Sequence, residues 1–358
     1  MKHSISLVSS NILPQVKIKH QKLFQFGISA FSLSSFTSLN SNARTVIENV
    51  NTASSKVYRL VSNEGILKDF NTLLKNSKLV HEKSLVNVDF STFCGFETLA
   101  FATQTQSGRA IPVWANCITY PVEEVGSQNI FVLAQIELFA SVLGFYPSFV
   151  FDRGFWIPDM MKFFLNGHIP FYLRIKKGNY FEVTNTSSNT SGKPGKPKKL
   201  KAVKIGDFSK DTTVTIFKHK MRLIVSPPPP KVKIKNKKQS KERWYILTND
   251  FDSTREDILD IYRHRFEIEE TFKDVKHVCD LKKFFISKIL TFRILLWFFC
   301  LSFWLAYWCS LTKQLSSIYF PNYVHPKKKR SYFKIWWEEI QRLVKKPSLD
   351  LTNKAWSG

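Results

Sequence analysis

Short apolar runs alternate with turn residues along the chain from about residue 84. The segments 84–93, 97–106 and 110–121 are rich in β-branched and aromatic residues, and Gly95 and Ser107-Gly108 lie between them. Runs of this length and composition, bounded by turn residues, are typical of strands. The pattern therefore predicts three consecutive strands.

The apolar positions that follow change from strand to helix spacing and back. Over 123–143 they recur at steps of three and four residues, which predicts a helix. A short apolar run at 148–155 predicts a buried strand, 156–166 a second helix and 170–178 another strand. Three strands, a helix, a strand, a helix and a strand predict an α/β fold with a mixed sheet flanked by helices.

The chain before this core is polar and predicted to be mostly helical. Residues 41–63 could form two short helices around a turn near Asn51-Thr52, which is the spacing of a DNA-binding helix-turn-helix. The same pattern is equally common in helical pairs that bind no DNA. The sequence leaves these two interpretations open.

A long basic stretch separates this core from a further strand. Within 179–243, two Pro- and Lys-rich blocks at 187–201 and 226–243 flank short β-prone runs. They predict a β-rich insertion with flexible borders. Such blocks form either solvated loops or an arm that contacts the DNA backbone, and charge of nearly one sign favours the arm.

The last part of the core is predicted to carry a long helix after a strand at 244–250. Ser253, followed three residues later by Glu256, predicts a capping box that starts a helix reaching about residue 283. Four polar residues would then lie within roughly 60° on one face of that helix, namely Tyr262, Arg265, Glu269 and Lys276. The alternative is a solvated face with an ion pair between Arg265 and Glu269.

An uncharged stretch at 294–311 is long enough to cross a membrane. Against a membrane span, its three Trp residues are spread along the segment instead of lying at its two ends. We therefore predict a buried helix that packs on the core, with membrane insertion as the alternative.

The charge of the chain points to a polyanionic partner. Lys and Arg number 53 against 28 Asp and Glu, a formal net charge of +25. Nucleic acid is the commonest partner for such a charge, ahead of a membrane surface. The five Cys are scattered without zinc-ligand spacing, which indicates free thiols in a reducing compartment. We expect no signal peptide, because the N-terminal residues lack a continuous apolar run.

Two carboxylates lie within or at the end of very apolar predicted strands. In a strand, Val88 and Phe90 would lie on one face and Asp89 on the opposite face. Asp152 directly follows the apolar run Phe149–Phe151. A carboxylate in such a place is costly unless something such as a metal ion compensates it. A cap or turn is the ordinary role of an Asp at the end of a strand.

The run from Tyr262 to Lys276 resembles the Tyr-x2-Arg-x3-Glu-x6-Lys signature of the insertion-sequence-four group of bacterial DD-E transposases. All four signature positions are present at the required spacing. Asp89, with the turn at 108–112 after it, resembles the first-aspartate region of the family, and 152–155 resembles the second. A β-rich insertion before the Glu is also a family feature, and the resemblance covers about residues 40–312.

The resemblance implies an RNase H-like core and a metal-dependent reaction. Asp89, Asp152 and Glu269 would hold two Mg²⁺ or Mn²⁺ ions, for which carboxylate oxygens are suitable ligands. The remaining predicted site residues would bind DNA: Tyr262, Arg265, Lys276 and Arg153 at phosphates, and Trp244 by stacking on an unpaired end base.

The resemblance also implies the partners and the setting. The protein would cut double-stranded DNA at element ends and join it to a target, as a homodimer in the synaptic complex, in the bacterial cytoplasm at the nucleoid. The alternatives are a catalytically silent DNA-binding descendant and a membrane-anchored basic protein. The predicted regions are 1–80 (helical, DNA-binding), 81–178 (core, first part), 179–243 (basic insertion), 244–315 (core, catalytic and apolar helices) and 316–358 (basic tail).

Overall fold

The chain forms two compact units, each assembled from separate stretches of sequence. Unit 1 comprises 1–81, 89–145 and 266–358, and unit 2 comprises 82–88 and 146–265. The structure is a computed structural model that describes residues 12–28, 43, 47, 49–105, 108–119, 127–183, 201–208, 210–228, 242–277, 286–311 and 333–334.

Unit 1 contains most of the helices. Their bounds, in chain order, are α1 (Ile18–Gly27), α2 (Val50–Val61), α3 (Gly65–Ser77), α4 (Gln128–Leu143), α7 (Phe266–His277) and α8 (Ile289–Leu311). The strands β2 (Phe96–Thr103) and β3 (Ile111–Ile118) pair antiparallel. They are the second and third predicted strands, so this part of the sequence interpretation is confirmed.

The N-terminal helical region differs from the predicted helical pair. The proposed turn at Asn51-Thr52 lies within the first turn of α2, because the Asn49 side chain accepts the Thr52 backbone N–H at 3.0 Å and caps the helix. The next helix, α3, begins only at Gly65. The predicted position of the turn is therefore wrong: the polar residues mark a helix N-terminus, as Asn commonly does. Most of 41–48 lies outside the described residues.

The uncharged helix α8 packs inside unit 1. It is the one helix in the described part of the chain that is long and apolar enough to cross a membrane. In its most apolar stretch, 83% is buried inside the protein. Trp304 donates its indole N–H to the Pro112 carbonyl of β3 at 2.7 Å, and Arg293 donates to the Cys117 carbonyl at 3.0 Å. These contacts are those of a core helix, as the spread of its Trp residues predicts.

Gly27, the last residue of α1, lies against Phe298 of α8. A Cβ added at Gly27 would lie 2.2 Å from the ring of Phe298, and that ring is held by Phe24 and Phe70. Gly27→Ala should therefore lower the free energy of unfolding by about 1–3 kcal/mol through overpacking. Chemical denaturation of the variant checks this, with Gly154→Ala as control because no atom lies within 4 Å there. An equal effect of the two changes would contradict it.

Unit 2 is built on a sheet that extends from the start of β1 (Leu85–Phe93), a strand shared by both units. Its other strands are β4 (Ser148–Phe151), β5 (Phe171–Arg174), β6 (Tyr180–Val183), β7 (Lys201–Lys204), β8 (Thr212–Ile216), β9 (His219–Val225) and β10 (Tyr245–Thr248). The order is β1-β4-β5-β10-β9-β8-β6-β7, with β1, β4 and β5 parallel and the later pairs antiparallel.

The β-rich insertion is therefore continuous with this sheet. Strand β9 pairs with β10 over four residues, and β10 in turn pairs with β5. The helices of unit 2 are α5 (Pro158–Asn166) and α6 (Arg255–Arg263). A mixed sheet with parallel central strands and flanking helices confirms the predicted α/β, RNase H-like fold. Residues 184–200 and 229–241, the greater part of the two basic blocks, lie outside the described residues.

The single long helix predicted from 254 to about 283 is instead two helices, α6 and α7. The break lies at His264 and Arg265, and the buried Asn87 side chain donates to the His264 carbonyl at 3.2 Å. The predicted capping box is also one residue early. Thr254 and Asp257 form it, because the Ser253 N–H is taken by the Asp250 carboxylate at 3.0 Å.

Candidate active site

Asp152 lies directly after β4, at the carboxyl end of a parallel strand. It occupies the N-cap position of a 3-10 turn (Arg153–Phe155), yet its side chain makes no capping hydrogen bond. The carboxylate is half-exposed, and the Tyr262 hydroxyl lies 3.5 Å from its Oδ1 atom. The ordinary role of a strand-end Asp, that of a cap, is thus not the role of this side chain. Ligands of open sheets collect at this edge.

Tyr262 is the signature residue that contacts Asp152. Its side chain is 1% exposed on α6 and packs in a core cluster with Val150, Ile224 and Ile246. Burial raises the pKa of the Tyr262 hydroxyl above its ordinary value, and the positive charge of Arg265 opposes that shift in part. The hydroxyl therefore stays protonated at neutral pH and can act as a hydrogen-bond donor.

Arg265 and Trp244 surround the Tyr262 ring. The Arg265 guanidinium is 5.9 Å from the ring centroid, in a cation–π arrangement, and the Arg265 residue is only 3% exposed. Trp244 meets the same ring edge-on at 5.2 Å and is partly buried against the core cluster. Both side chains therefore pack against the Tyr262 ring and limit its movement. A phosphate contact by Arg265 and base stacking by Trp244 stay predictions.

Arg153 belongs to a group of cations that the sequence analysis only partly identified. Its Nη1 atom lies 3.3 Å from Oε2 of Glu242, Arg174 Nη2 lies 3.5 Å from the same oxygen, and Lys177 Nζ lies 4.0 Å from Oε1. Arg174 ends β5 and follows Leu173, the partner of Phe151, just as Asp152 follows Phe151 in the chain. The rule that strand ends share an edge could have found Arg174 from the sequence.

Glu269 and Lys276 lie in α7, in unit 1. They are seven residues apart in one helix, so they share a face, and both are half-exposed. The Lys276 ammonium is 5.1 Å from the Phe93 ring centroid, next to an edge-on contact of Phe93 with Phe272. The prediction that all four signature residues share the face of one helix is wrong, because the chain turns between Tyr262 and Glu269.

Helix α7 is docked on the turn that precedes β3. Glu267, which is 4% exposed, accepts the backbone N–H groups of Thr105 at 2.9 Å and Gly108 at 3.1 Å. Arg109 donates to Asp274 at 2.7 Å, and the Thr271 hydroxyl donates to the Ala110 carbonyl at 2.8 Å. The turn after the first aspartate thus holds the helix that carries Glu269. No sequence pattern singled out Glu267.

Asp89 is half-exposed in β1, with one carboxylate oxygen 2.8 Å from the Phe90 backbone N–H. It belongs to unit 1 with Glu269, whereas Asp152 belongs to unit 2. In the part of the chain that the structure describes, no group of three His, Cys, Asp or Glu side chains is arranged to hold a metal ion. The chemistry of the three partly exposed carboxylates suits a hard cation. Their meeting around metal ions stays a prediction.

The sequence of this region matches a known family. Residues 136–305 match the sequence model of a family described as "Transposase DDE domain". This part of the chain is therefore similar to transposase DDE domains. The prediction of a transposase, an enzyme of DNA transposition and recombination, is thereby confirmed. Transposases of this class are nucleases and strand transferases that act on DNA and generally use divalent metal ions.

The matched segment contains most of the predicted site of the transposase. Asp152, Tyr262, Arg265, Glu269 and Lys276 all lie within it. Asp89 precedes it.

Comparison with solved structures gives distant likenesses. The chain is similar to a cryo-EM structure of the piggyBac transposase synaptic complex with hairpin DNA, at 8% sequence identity and a TM-score of 0.44. The alignment covers 98% of this chain and 83% of that one. No curated protein matches the sequence.

Proposed function

We propose that this transposase cuts DNA at the ends of an insertion sequence and joins the freed 3′ end to a target, using Asp89, Asp152 and Glu269 as its acidic residues. The observation that carries this proposal is Asp152, a strand-end carboxylate that caps nothing and meets the buried signature Tyr262. Membership of the insertion-sequence-four group rests on the spacing of the four signature residues.

Asp89, Asp152 and Glu269 would hold two Mg²⁺ or Mn²⁺ ions. When bound, such ions supply charge stabilisation at the phosphorus being attacked and an activated oxygen nucleophile. The three side chains supply only carboxylate oxygens, the ligands that these hard cations prefer. Each carboxylate is half-exposed, so it is accessible without a rearrangement of the core.

The basic and phenolic groups of the site would orient the DNA. Tyr262 keeps its proton, because burial raises its pKa, so its hydroxyl donates either to Asp152 or to a phosphate oxygen. Arg153 and Lys276 are exposed and half-exposed and would make charge-assisted contacts with phosphates. Arg265 would act at least in part through Tyr262, whose ring it covers.

The setting of the reaction belongs to the same proposal. Two copies of the chain would hold two element ends in one synaptic complex, in the bacterial cytoplasm and on the nucleoid. This part rests on the family resemblance and on the net charge of +25.

Removal of the metal provides the direct test. DNA duplexes with the sequences that flank this reading frame should be nicked and joined to target DNA in Mg²⁺ or Mn²⁺, and EDTA should abolish both steps. DNA binding, measured by mobility shift, should persist in EDTA, because phosphate contacts by Lys and Arg need no metal. Cleavage that continues in EDTA would contradict the metal-dependent mechanism.

A further inference from the structure

Three cations of unit 2 converge on one carboxylate beside Asp152. Glu242 is the common partner of Arg153, Arg174 and Lys177, at distances of 3.3, 3.5 and 4.0 Å. Three positive charges thus face one negative charge, and the contacts are longer than the 2.7–2.9 Å typical of a strong charge-assisted hydrogen bond. The Arg153 and Lys177 side chains are 48% and 68% exposed, so their pairs with Glu242 contribute little to stability, whereas the Arg174 side chain is 16% exposed. Glu242 is thus held by ion pairs in which another anion could take its place.

The position of Glu242 in the sequence is unusual. It is the only acidic residue between Asp211 and Asp250, a stretch that is otherwise rich in Lys and Pro. Strand β9 ends at Val225 and β10 begins at Tyr245, and the Ser226 N–H donates to the Trp244 carbonyl at 2.9 Å. Glu242, the single acid in the sequence between these strands, lies two residues before Trp244 and against the cation group.

The cation group lies at the edge of the sheet that carries Asp152. Arg153 follows Asp152 in the chain, and Arg174 ends the neighbouring parallel strand. The positive charge of Arg174 also acts on Tyr262, whose hydroxyl faces Asp152. An anion bound by these cations would therefore lie next to the proposed acidic site.

A carboxylate and a phosphodiester present the same recognition element. Each carries one negative charge shared by two equivalent oxygens, and Arg binds both through the same N–H donors. We infer that Arg153, Arg174 and Lys177 form a binding site for one DNA backbone phosphate, and that Glu242 occupies it in the free protein and leaves it when DNA binds. This inference rests on the proposed function, since it takes DNA as the ligand.

Glu242→Gln tests the inference by removing the charge with little change in shape. The full chain with Glu242→Gln should bind a short DNA duplex of arbitrary sequence about two- to fivefold more tightly than the wild type, the size expected for release of an exposed ion pair. The control is Glu256→Gln, which removes the same charge from another exposed ion pair of unit 2, with Arg255. Equal gains in the two variants would reduce the effect to net charge and overturn the inference.

The decisive measurement is the coupling between Glu242 and Arg174. Arg174→Gln should weaken binding, reduce the slope of log Kd against log salt by about one, as expected for one lost phosphate contact, and remove the gain from Glu242→Gln. If Glu242→Gln tightens binding equally with and without Arg174, Glu242 does not occupy the phosphate site. Thermal unfolding of each variant verifies that it is folded.

Binding and catalysis separate this inference from the proposed function. Both measurements are made in EDTA and need no cleavage. If binding follows the predicted coupling while a Glu269 variant still cleaves DNA, the acidic-site assignment fails and the phosphate site stands. If cleavage depends on Glu269 and the coupling is absent, the phosphate site fails and the acidic-site assignment stands.

Discussion

Glu269→Gln is expected to abolish cleavage and strand transfer while DNA binding is retained. The change keeps the volume of the side chain and removes the charged oxygen ligand proposed for a divalent ion. A bound metal contributes several kcal/mol of transition-state stabilisation, and each 1.4 kcal/mol is a factor of ten in rate. The cleavage rate should therefore fall by about 10³-fold or more, measured under single-turnover conditions with pre-bound DNA.

The adjacent Glu270 provides a matched control. Glu270 is also half-exposed on α7, where it pairs with Lys273 and lies 3.6 Å from Arg109. Arg109 keeps its stronger partner Asp274, at 2.7 Å, when Glu270 is changed. Glu270→Gln should thus leave the cleavage rate within about twofold, since exposed pairs contribute little. A Glu269→Gln enzyme as active as this control would show that Glu269 is not the third acidic residue.

Glu267→Ala is expected to lower the free energy of unfolding by about 1–3 kcal/mol. The buried carboxylate is the acceptor for the Thr105 and Gly108 N–H groups, and its removal leaves both donors without that partner. Thr105 is half-exposed and Gly108 is exposed, so water can replace the carboxylate in part, and the two lost hydrogen bonds together should cost about 1–3 kcal/mol. The carboxylate also lies in the first turn of α7, where the helix dipole favours a negative charge. Urea denaturation of the full chain measures the loss.

Two further variants test whether the lost stability comes from the hydrogen bonds of the Glu267 carboxylate. Glu267→Gln keeps one acceptor oxygen in place, so its cost should lie between those of the wild type and Glu267→Ala. Glu256→Ala removes an exposed carboxylate from α6 and should cost less than about 0.5 kcal/mol. A Glu267→Ala protein as stable as the Glu256→Ala protein would mean that the two backbone contacts do not anchor α7.

Local patterns in the sequence were sufficient for most of the strands and helices, although no run predicted β6 or β7. The runs that became β1 to β5 have the composition and turn residues of buried strands, and these signals act over a few residues. The spacing from Tyr262 to Lys276 suggested a transposase for the same reason, because spacing is a property of the chain alone. The core position of α8 was also predictable, because its Trp residues are not arranged in interfacial belts.

The helix break at His264 and Arg265 was not predictable, since neither Gly nor Pro marks it. The Asn87 side chain, 177 residues away in the sequence, accommodates it by binding the His264 carbonyl. The turn placed at Asn51-Thr52 failed for a related reason. Asn favours turns and helix N-caps alike, and only the hydrogen bond from the Thr52 N–H to the Asn49 side chain shows that a helix N-cap forms here.

By itself, the sequence determined the class of fold, the signature and the candidate acidic residues, because spacing and hydrophobic periodicity are encoded within short segments. Only the tertiary structure decided which side chains support that site. The hydrogen bonds of Glu267 with the Thr105 and Gly108 backbone N–H groups, and the convergence of three cations on Glu242, join residues that are distant in the chain. Such contacts depend on the pairing and register of strands, which no local pattern specifies.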